Sequence, residues 1–541
     1  MKKVLSFLLI VVMVWGTLAA CTSPNEKDTS QNGENTTNDN LNLTGYPLVN
    51  EKITYTMMGS KASIQGDWKD LLVFNMLEEK TNVAFDYNDV NAQVFEEKKN
   101  LALANGEYPD VFFGAGLNND QQVKYGEQGI LIPLEGYFEE YCPEITKMFE
   151  IRPEIKKSIT APDGHIYALP QVYALVLATP SAWVNKKWLD KLGISEDQLP
   201  TTIEGLYDMF VRMKNEDPNG NGEQDEYAFS MQKGTAGNNS FYDLLQAFGI
   251  PARGVYVDDN DKVQYGYLHP DFKTFLEWCN KVWSEGLVDP DSFTQDASGL
   301  AAKGTNNIIG VAFHAIPQLI YGVTDPEEAA KYPVLPALSS KISSKRMTLQ
   351  NGTGVSVGVF ALTDKCKNPE VMMRWIDYLY SEEGSILVHY GPEGKIWEWA
   401  DESTGIRKYI QPTDGRNLEE VRGGDITPDC GTALPKWIRD ETEGNWDDAQ
   451  QQARVKQVGE NLLPFARLPI PDLFFTADEQ KQIDIMKTDI DKYTTENAAK
   501  FITGDLPLDQ YDDFTSTLES MKMDEYLKLY QKAYDRWKNA K

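Results

Sequence analysis

Residues Lys52–Gly114 read KITYTMMGSKASIQGDWKDLLVFNMLEEKTNVAFDYNDVNAQVFEEKKNLALANGEYPDVFFG, and this stretch decides the fold class. Lys52–Met58 alternates as a strand and ends at Gly59. Leu71, Leu72, Met76 and Leu77 recur at helical spacing, which predicts a helix over Asp67–Lys80. Val83–Tyr87 is a second strand and Phe95–Asn105 a second helix, closed by Gly106. Pro109-Asp110 leads into the apolar strand Val111-Phe112-Phe113. Strand, helix, strand, helix, strand is the rhythm of an α/β lobe with a largely parallel sheet.

Upstream, Met1–Cys21 has a basic start at Lys2 and Lys3, an apolar run over Val4–Val14, and small residues at Ala19 and Ala20. That is the pattern of an export signal, too short to span a bilayer comfortably. Leu18-Ala19-Ala20-Cys21 resembles a bacterial lipobox, which implies a diacylglycerol anchor on Cys21 and a signal peptide over residues 1–20. Residues 21–50 are rich in Asn, Thr, Asp and Ser and are expected to form a disordered tether. The lipid is then the only expected membrane contact. A net charge of −30 argues against nucleic-acid binding.

The four remaining cysteines, Cys142, Cys279, Cys366 and Cys430, are scattered, and sequence leaves three pairings open. Buried free thiols are the plainer reading. No HExxH or His/Cys cluster supports a zinc enzyme. Gly354-Val355-Ser356-Val357-Gly358 is formally G-x-S-x-G, with Asp377 and His389 downstream. The residues after Ser356 continue as strand, whereas a nucleophile elbow needs a sharp strand-to-helix turn.

An ordered series of segments carries a family resemblance. Leu101–Val111 (LALANGEYPDV), Gly126–Tyr137 (GEQGILIPLEGY), Asp163–Pro170 (DGHIYALP), Trp183–Gly193 (WVNKKWLDKLG) and Glu285–Asp291 (EGLVDPD) are similar, in order, to segments of extracellular solute-binding proteins of ABC importers. The nearest subgroup is the LplA-type lipoproteins, which also resemble alginate-oligosaccharide-binding proteins. The resemblance spans residues 51–541. It implies an α/β, two-lobe periplasmic-binding-protein type II fold with a hinge and ligand cleft. It also implies a monomer that captures an oligosaccharide and delivers it to ABC permease subunits. The alternatives are a secreted polysaccharide-active enzyme, glycosidase or lyase, and a surface adhesin. The expected lobes are 51–175 with 355–395, and 178–350 with 400–541. The expected crossings are Gln171–Ser181, Gly352–Val359 and Trp397–Gly405.

A sugar cleft stacks aromatic rings on C–H faces and hydrogen-bonds the hydroxyls. In an open α/β sheet it lies outside the carboxyl ends of the strands. That rule selects Ser60, Lys61, Gly114, Ala115, Gln232, Lys233 and His314, with Trp68, Trp183, Trp397 and Trp399 as candidate platforms. The loop from Asp217 to Glu226 carries Asp217, Asn219 and Asn221 at spacing two, then Gly222, Glu223 and Asp225. This is the start of an EF-hand-type Ca²⁺ loop. Position twelve is Ala228, which cannot ligate, so Glu226 is the available substitute. The shortened pattern resembles the calcium loop of the alginate-binding proteins and implies structural Ca²⁺.

Overall fold

The computed structural model describes residues 39–233, 241–350 and 352–540. The export signal, Cys21 and most of the tether lie outside the described residues. Six strands form the larger sheet: β1 (Ile53–Lys61), β2 (Val83–Asn91), β3 (Val111–Phe113), β4 (Leu169–Val172), β11 (Val355–Leu362) and β14 (Lys436–Trp437). Their order is β14-β4-β11-β3-β1-β2, with β11 antiparallel to both neighbours and the other pairings parallel. A three-stranded sheet joins β5 (Ala182–Val184), β9 (Ile309–Phe313) and β6 (Tyr227–Phe229) in the order β5-β9-β6. Three short pairs complete the set: β7 (Val255–Val257) with β8 (Val263–Tyr265), β10 (Thr348–Leu349) with β15 (Ala466–Arg467), and β12 (Trp397–Asp401) with β13 (Ile406–Tyr409).

Side-chain alternation gives the larger sheet two dry faces. Tyr55, Met57, Val111 and Phe113 enter one core, and Met58 and Phe112 enter another on the opposite face. A separate core gathers Val184, Phe210, Phe229, Phe275 and Val311 with Ile483, Ile490 and Phe514 of the C-terminal helices. The helix Ile203–Asn215 starts where the Thr202 hydroxyl accepts a hydrogen bond from the Gly205 amide at 3.1 Å. The long helix Ala477–Thr503 begins with a reciprocal capping box between Thr476 and Glu479. Asn40–Lys541 is one compact unit that holds all of these cores.

The chain leaves the larger sheet after Val172, enters the smaller at Ala182, and returns at Val355, as the first two expected crossings require. The third differs. Trp397–Gly405 is not a crossing but most of the hairpin β12–β13, and Trp397, Ile426, Leu434, Trp437 and Trp446 all belong to the core of the larger sheet. The stretch after residue 400 therefore stays with the first core through Trp446. Its helix Ala449–Asn461 then carries Val458 and Leu462 to Trp183 and Ile309 beside the smaller sheet.

The folded part also starts earlier than Glu51. Leu48 and Val49 are fully buried, and the Leu48 amide donates to the Thr81 carbonyl at 3.0 Å. Two apolar residues inside a polar run are enough to anchor it.

Gly59 does not end β1. Pairing with β2 continues through Gly59↔Asp89 to Lys61↔Asn91. The glycine is there for close approach: a Cβ at this position would lie 2.1 Å from the Phe113 carbonyl oxygen and 2.2 Å from the Trp68 ring. Gly59→Ala is expected to cost about 1–3 kcal/mol or more by overpacking, read as a lower denaturation midpoint with an unchanged denaturant slope.

Candidate functional site

A cavity of about 760 Å³ opens at the carboxyl end of β4, where the two crossings meet. Tyr173, the first residue after β4, donates its amide to the Gly354 carbonyl at 2.7 Å. Gly354 has φ +72°, and a Cβ there would lie 2.6 Å from the Tyr173 carbonyl oxygen, so glycine lets the crossings touch. Gly358, the other glycine of the G-x-S-x-G string, sits at φ +69° against the Leu117 carbonyl. The string is a bulged stretch of β11 and its approach, without a nucleophile elbow. Asp377 accepts from the Ile145 amide at 2.9 Å and serves a helix start.

The walls combine rings and polar ends. Tyr173, Tyr390 and Tyr409 line one side, and Gln450, Gln451 and Arg454 of the helix Ala449–Asn461 line another. Tyr409 stacks on Trp446 with centroids 4.2 Å apart. Glu443 accepts from the Tyr390 hydroxyl at 3.2 Å and from the Gln451 amide group at 3.0 Å. Thr353 donates its hydroxyl to Asp472 at 2.6 Å, and burial raises the Asp472 carboxyl above its usual range. Burial raises all three tyrosine phenols, so they remain neutral donors. Burial also lowers the Arg454 guanidinium, and its Nε has no partner among the described residues.

Beneath Tyr173 lies a buried charge network. Lys436 donates to Asp429 at 2.6 Å and to the Gln171 amide oxygen at 2.9 Å, and its Nζ sits 4.9 Å from the centre of the Tyr173 ring. The His389 ring hydrogen-bonds the other Asp429 oxygen, and Arg422 donates to the His389 carbonyl. Burial opposes the charge on Asp429, but Lys436 and His389 outweigh it and hold the carboxyl below its usual range. Burial lowers His389, against the opposing pull of Asp429.

None of the eleven residues proposed as ligand contacts lines this cavity; His314 comes nearest in sequence, two residues before Ile316, which does. Trp68 is fully buried against Phe74 and Phe113, and Trp183 is buried with its indole N–H on the His314 carbonyl at 2.9 Å. Both rings are core, not platforms. Ser60 and Lys61 belong to β1, and Lys61 pairs with Asp67 at 2.6 Å and Asp89 at 2.8 Å. Gly114 packs against Leu434, and the Ala115 carbonyl receives the buried Lys99 ammonium at 3.0 Å. Gln232 has a buried, unpartnered Oε1, Lys233 is exposed, and His314 is half-buried. Trp397 and Trp399 face a different pocket. Tyr173, with Ala174 beside it, falls inside the first expected crossing, Gln171–Ser181, and begins the cavity wall.

In the loop, Asp217 accepts the amides of Gly220, Asn221 and Gly222, and Asp225 accepts the side-chain amides of Asn219 and Asn221. The Asn221 side-chain oxygen takes the Glu223 amide at 2.7 Å. No group of three or more His, Cys, Asp or Glu stands ready to hold a metal among the described residues. Glu226 is nevertheless fully buried, neither carboxylate oxygen has a hydrogen-bond partner among the described residues, and burial, with Asp225 and Asp217 adding, raises its pKa. The four described cysteines are buried and free.

The bacterial extracellular solute-binding protein model matches residues 58–386. The chain belongs to that family. It is 29% identical over 521 residues to the fructooligosaccharide ABC transporter substrate-binding protein FusA of Streptococcus pneumoniae serotype 4, covering 92% of each chain. FusA structures with kestose, and of an EF-hand mutant with fructo-nystose, each superpose with TM-score 0.68 at 27% identity, covering 90% of this chain and 100% of theirs. Lipoprotein LipO of Bacillus subtilis is 22% identical, covering 85% of this chain and 88% of its own. The fold is also that of the alginate-binding protein AlgQ2 without calcium ion, with TM-score 0.61 at 20% identity over 90% of this chain and 99% of that one. The expected family and two-lobe fold hold, and the family is one of binding proteins rather than enzymes.

Replacing Asp429 with Asn strands a buried lysine ammonium, which is expected to cost about 3–5 kcal/mol. The double replacement Asp429→Leu, Lys436→Met is expected to be milder than the single one in equilibrium denaturation.

Proposed function

We propose that the chain captures an oligosaccharide at the cavity between Tyr173 and Tyr409 and hands it to the permease subunits of an ABC importer. The observation that carries this is the cavity itself. It offers neutral phenols and the half-buried rings of Tyr173 and Tyr409 beside Gln450, Gln451, Glu443 and Asp472, a mixture of donors and acceptors suited to hydroxyls. The relative that binds fructooligosaccharides makes neutral fructose-containing chains the first ligands to test. Closure pivots on the two hydrogen-bonded crossings at Tyr173 and Gly354. The protein works at the outer face of the cytoplasmic membrane, held by a lipid on Cys21.

Isothermal titration with kestose and nystose is expected to show saturable binding, with compaction in small-angle scattering on the same samples. Tyr409→Ala is expected to weaken binding roughly tenfold to a hundredfold, about 1.4–2.8 kcal/mol. Absence of binding to these and to a panel of plant and microbial oligosaccharides would sink the reading.

The loop Asp217–Glu226 fits a structural Ca²⁺. Two orphaned carboxylate oxygens on Glu226 are a cost in a protein without a cation and become ligands with one. Asp217, Asn219, Asn221, the Glu223 carbonyl and Asp225 are the other donors. The sign of the pH effect follows. A carboxyl whose folded pKa is raised destabilises the fold as pH rises from its unfolded value through its folded one. In chelator, stability is therefore expected to fall across that window, and Ca²⁺ to restore it. Glu226→Gln is expected to flatten the pH slope and abolish the Ca²⁺-dependent rise in Tm. A rise that survives in this variant would refute the assignment.

A further inference from the structure

The hairpin β12–β13 presents Trp397, Trp399 and Arg407 to a second cavity, of about 750 Å³, that shares no residue with the first. Its far wall is Met76 and Lys80, in the last turns of the helix Leu72–Thr81. That helix runs back from the carboxyl end of β1 to the start of β2. The two cavities are neighbours that share no lining residue: β13 gives Arg407 to this one and Tyr409 to the other, and Gly391 here follows Tyr390 there.

Arg407 is the unusual group here. It is 6% exposed, and its Nε and Nη1 are buried with no hydrogen-bond partner. Its guanidinium carbon lies 4.8 Å from the centre of the Trp399 ring and 5.2 Å from that of Trp397. Cation–π contact offsets only part of the desolvation of a guanidinium. No carboxylate completes the pairing among the described residues. Lys80 is already engaged, with Glu383 at 3.0 Å. Glu382 and Glu393 line the same pocket; among the described residues neither is within ion-pair distance of a cation, but the charge of Glu382 acts on Arg407. The pocket thus holds Arg407 within the field of Glu382, with Glu393 and the Lys80–Glu383 pair beside it. This balance disfavours an anionic ligand. It suits a neutral polyol, whose hydroxyls accept from Arg407, donate to Glu382 and Glu393, and whose C–H face covers the half-exposed Trp399.

We propose that the Trp397–Trp399–Arg407 pocket is an accessory binding site for a neutral sugar unit, on the flank of the larger-sheet lobe and separate from the transport cavity. The pocket has room for such a unit and supplies both the stacking face and the paired polar ends.

The test is fluorine NMR of the full chain labelled with 5-fluorotryptophan, with resonances assigned by Trp397→Phe, Trp399→Phe and Trp446→Phe. Trp399 lines this pocket, Trp446 backs Tyr409 of the transport cavity, and repeating the titration in Tyr409→Ala, which alters the transport cavity and is expected to leave the Trp399 response in place, separates the two sites. Glucose, galactose and fructose in large excess are expected to shift the Trp399 resonance, and galacturonate is not. Arg407→Gln is expected to weaken that response at least tenfold. Because a buried arginine contributes to folding, its melting curve is checked, and Trp399→Ala, read through Trp397, serves as the second variant. A shift with galacturonate alone overturns the neutral-sugar assignment. No shift with any neutral sugar, or an undiminished response in a folded Arg407→Gln protein or in Trp399→Ala, overturns the site.

Discussion

A lysine with no solvent exposure has to be answered inside the protein, and Lys436 is answered by Asp429 and Gln171. This constraint ties together parts of the chain that are far apart in sequence. Gln171 is on the strand that leads into the first crossing, and Asp429 and Lys436 come more than two hundred and fifty residues later. Their pairing lays β14 parallel against β4 and fixes the carboxyl end of β4, from which Tyr173 enters the cavity. His389 and Arg422 close the network from the helix and loop above. A buried network that is fully partnered rigidifies its surroundings. Here the rigid part is the floor of the site, and the two crossings rise from it.

The first lobe was legible because its signals are local. Strand alternation and helical spacing over residues 52–114 are enforced by nearest neighbours and by one sheet with two dry faces. Helix starts such as Thr202 and Thr476 are written in single residues. What the sequence could not disclose is where non-local pairs form. β14 is two residues long, and nothing in Lys436-Trp437 announces a strand; it exists because Lys436 must reach Gln171. The third crossing was misplaced for the same reason. Trp397–Gly405 contains strand-like residues, but its partner, Ile406–Tyr409, returns at once and keeps the chain in the first core. Gly59 shows a related limit: a glycine required by close packing looks, in sequence, like one that ends a strand.

The expected contact residues lie away from this cavity for a different reason. The rule that a cleft lies beyond the carboxyl ends of strands treats each strand equally, and it selects positions outside this cavity. Gly114 and Ala115 lie behind β3 packing, and Lys61 spends its charge on two aspartates. The cavity forms where the two crossings touch, which selects the end of β4 alone.

The choice of aromatic follows from the same geometry. Trp68, Trp183, Trp188, Trp375 and Trp446 are fully buried because a large apolar ring gains most where it meets neighbours on every side. Tyrosine has a polar tip that must be paired or wet. Tyr390 pairs its hydroxyl with Glu443, and Tyr409 stacks on Trp446 while turning its other face to the cavity. The tryptophan thus sits one layer behind, as the rigid backing that holds the tyrosine flat. A search for sugar platforms among tryptophans alone finds the backing and misses the surface. Trp399 is half-exposed beside Arg407, whose Nε and Nη1 have no hydrogen-bond partner among the described residues. There Trp397 packs edge-on behind the ring and the indole itself meets solvent, so an apolar face stands next to a guanidinium donor without a tyrosine in front of it.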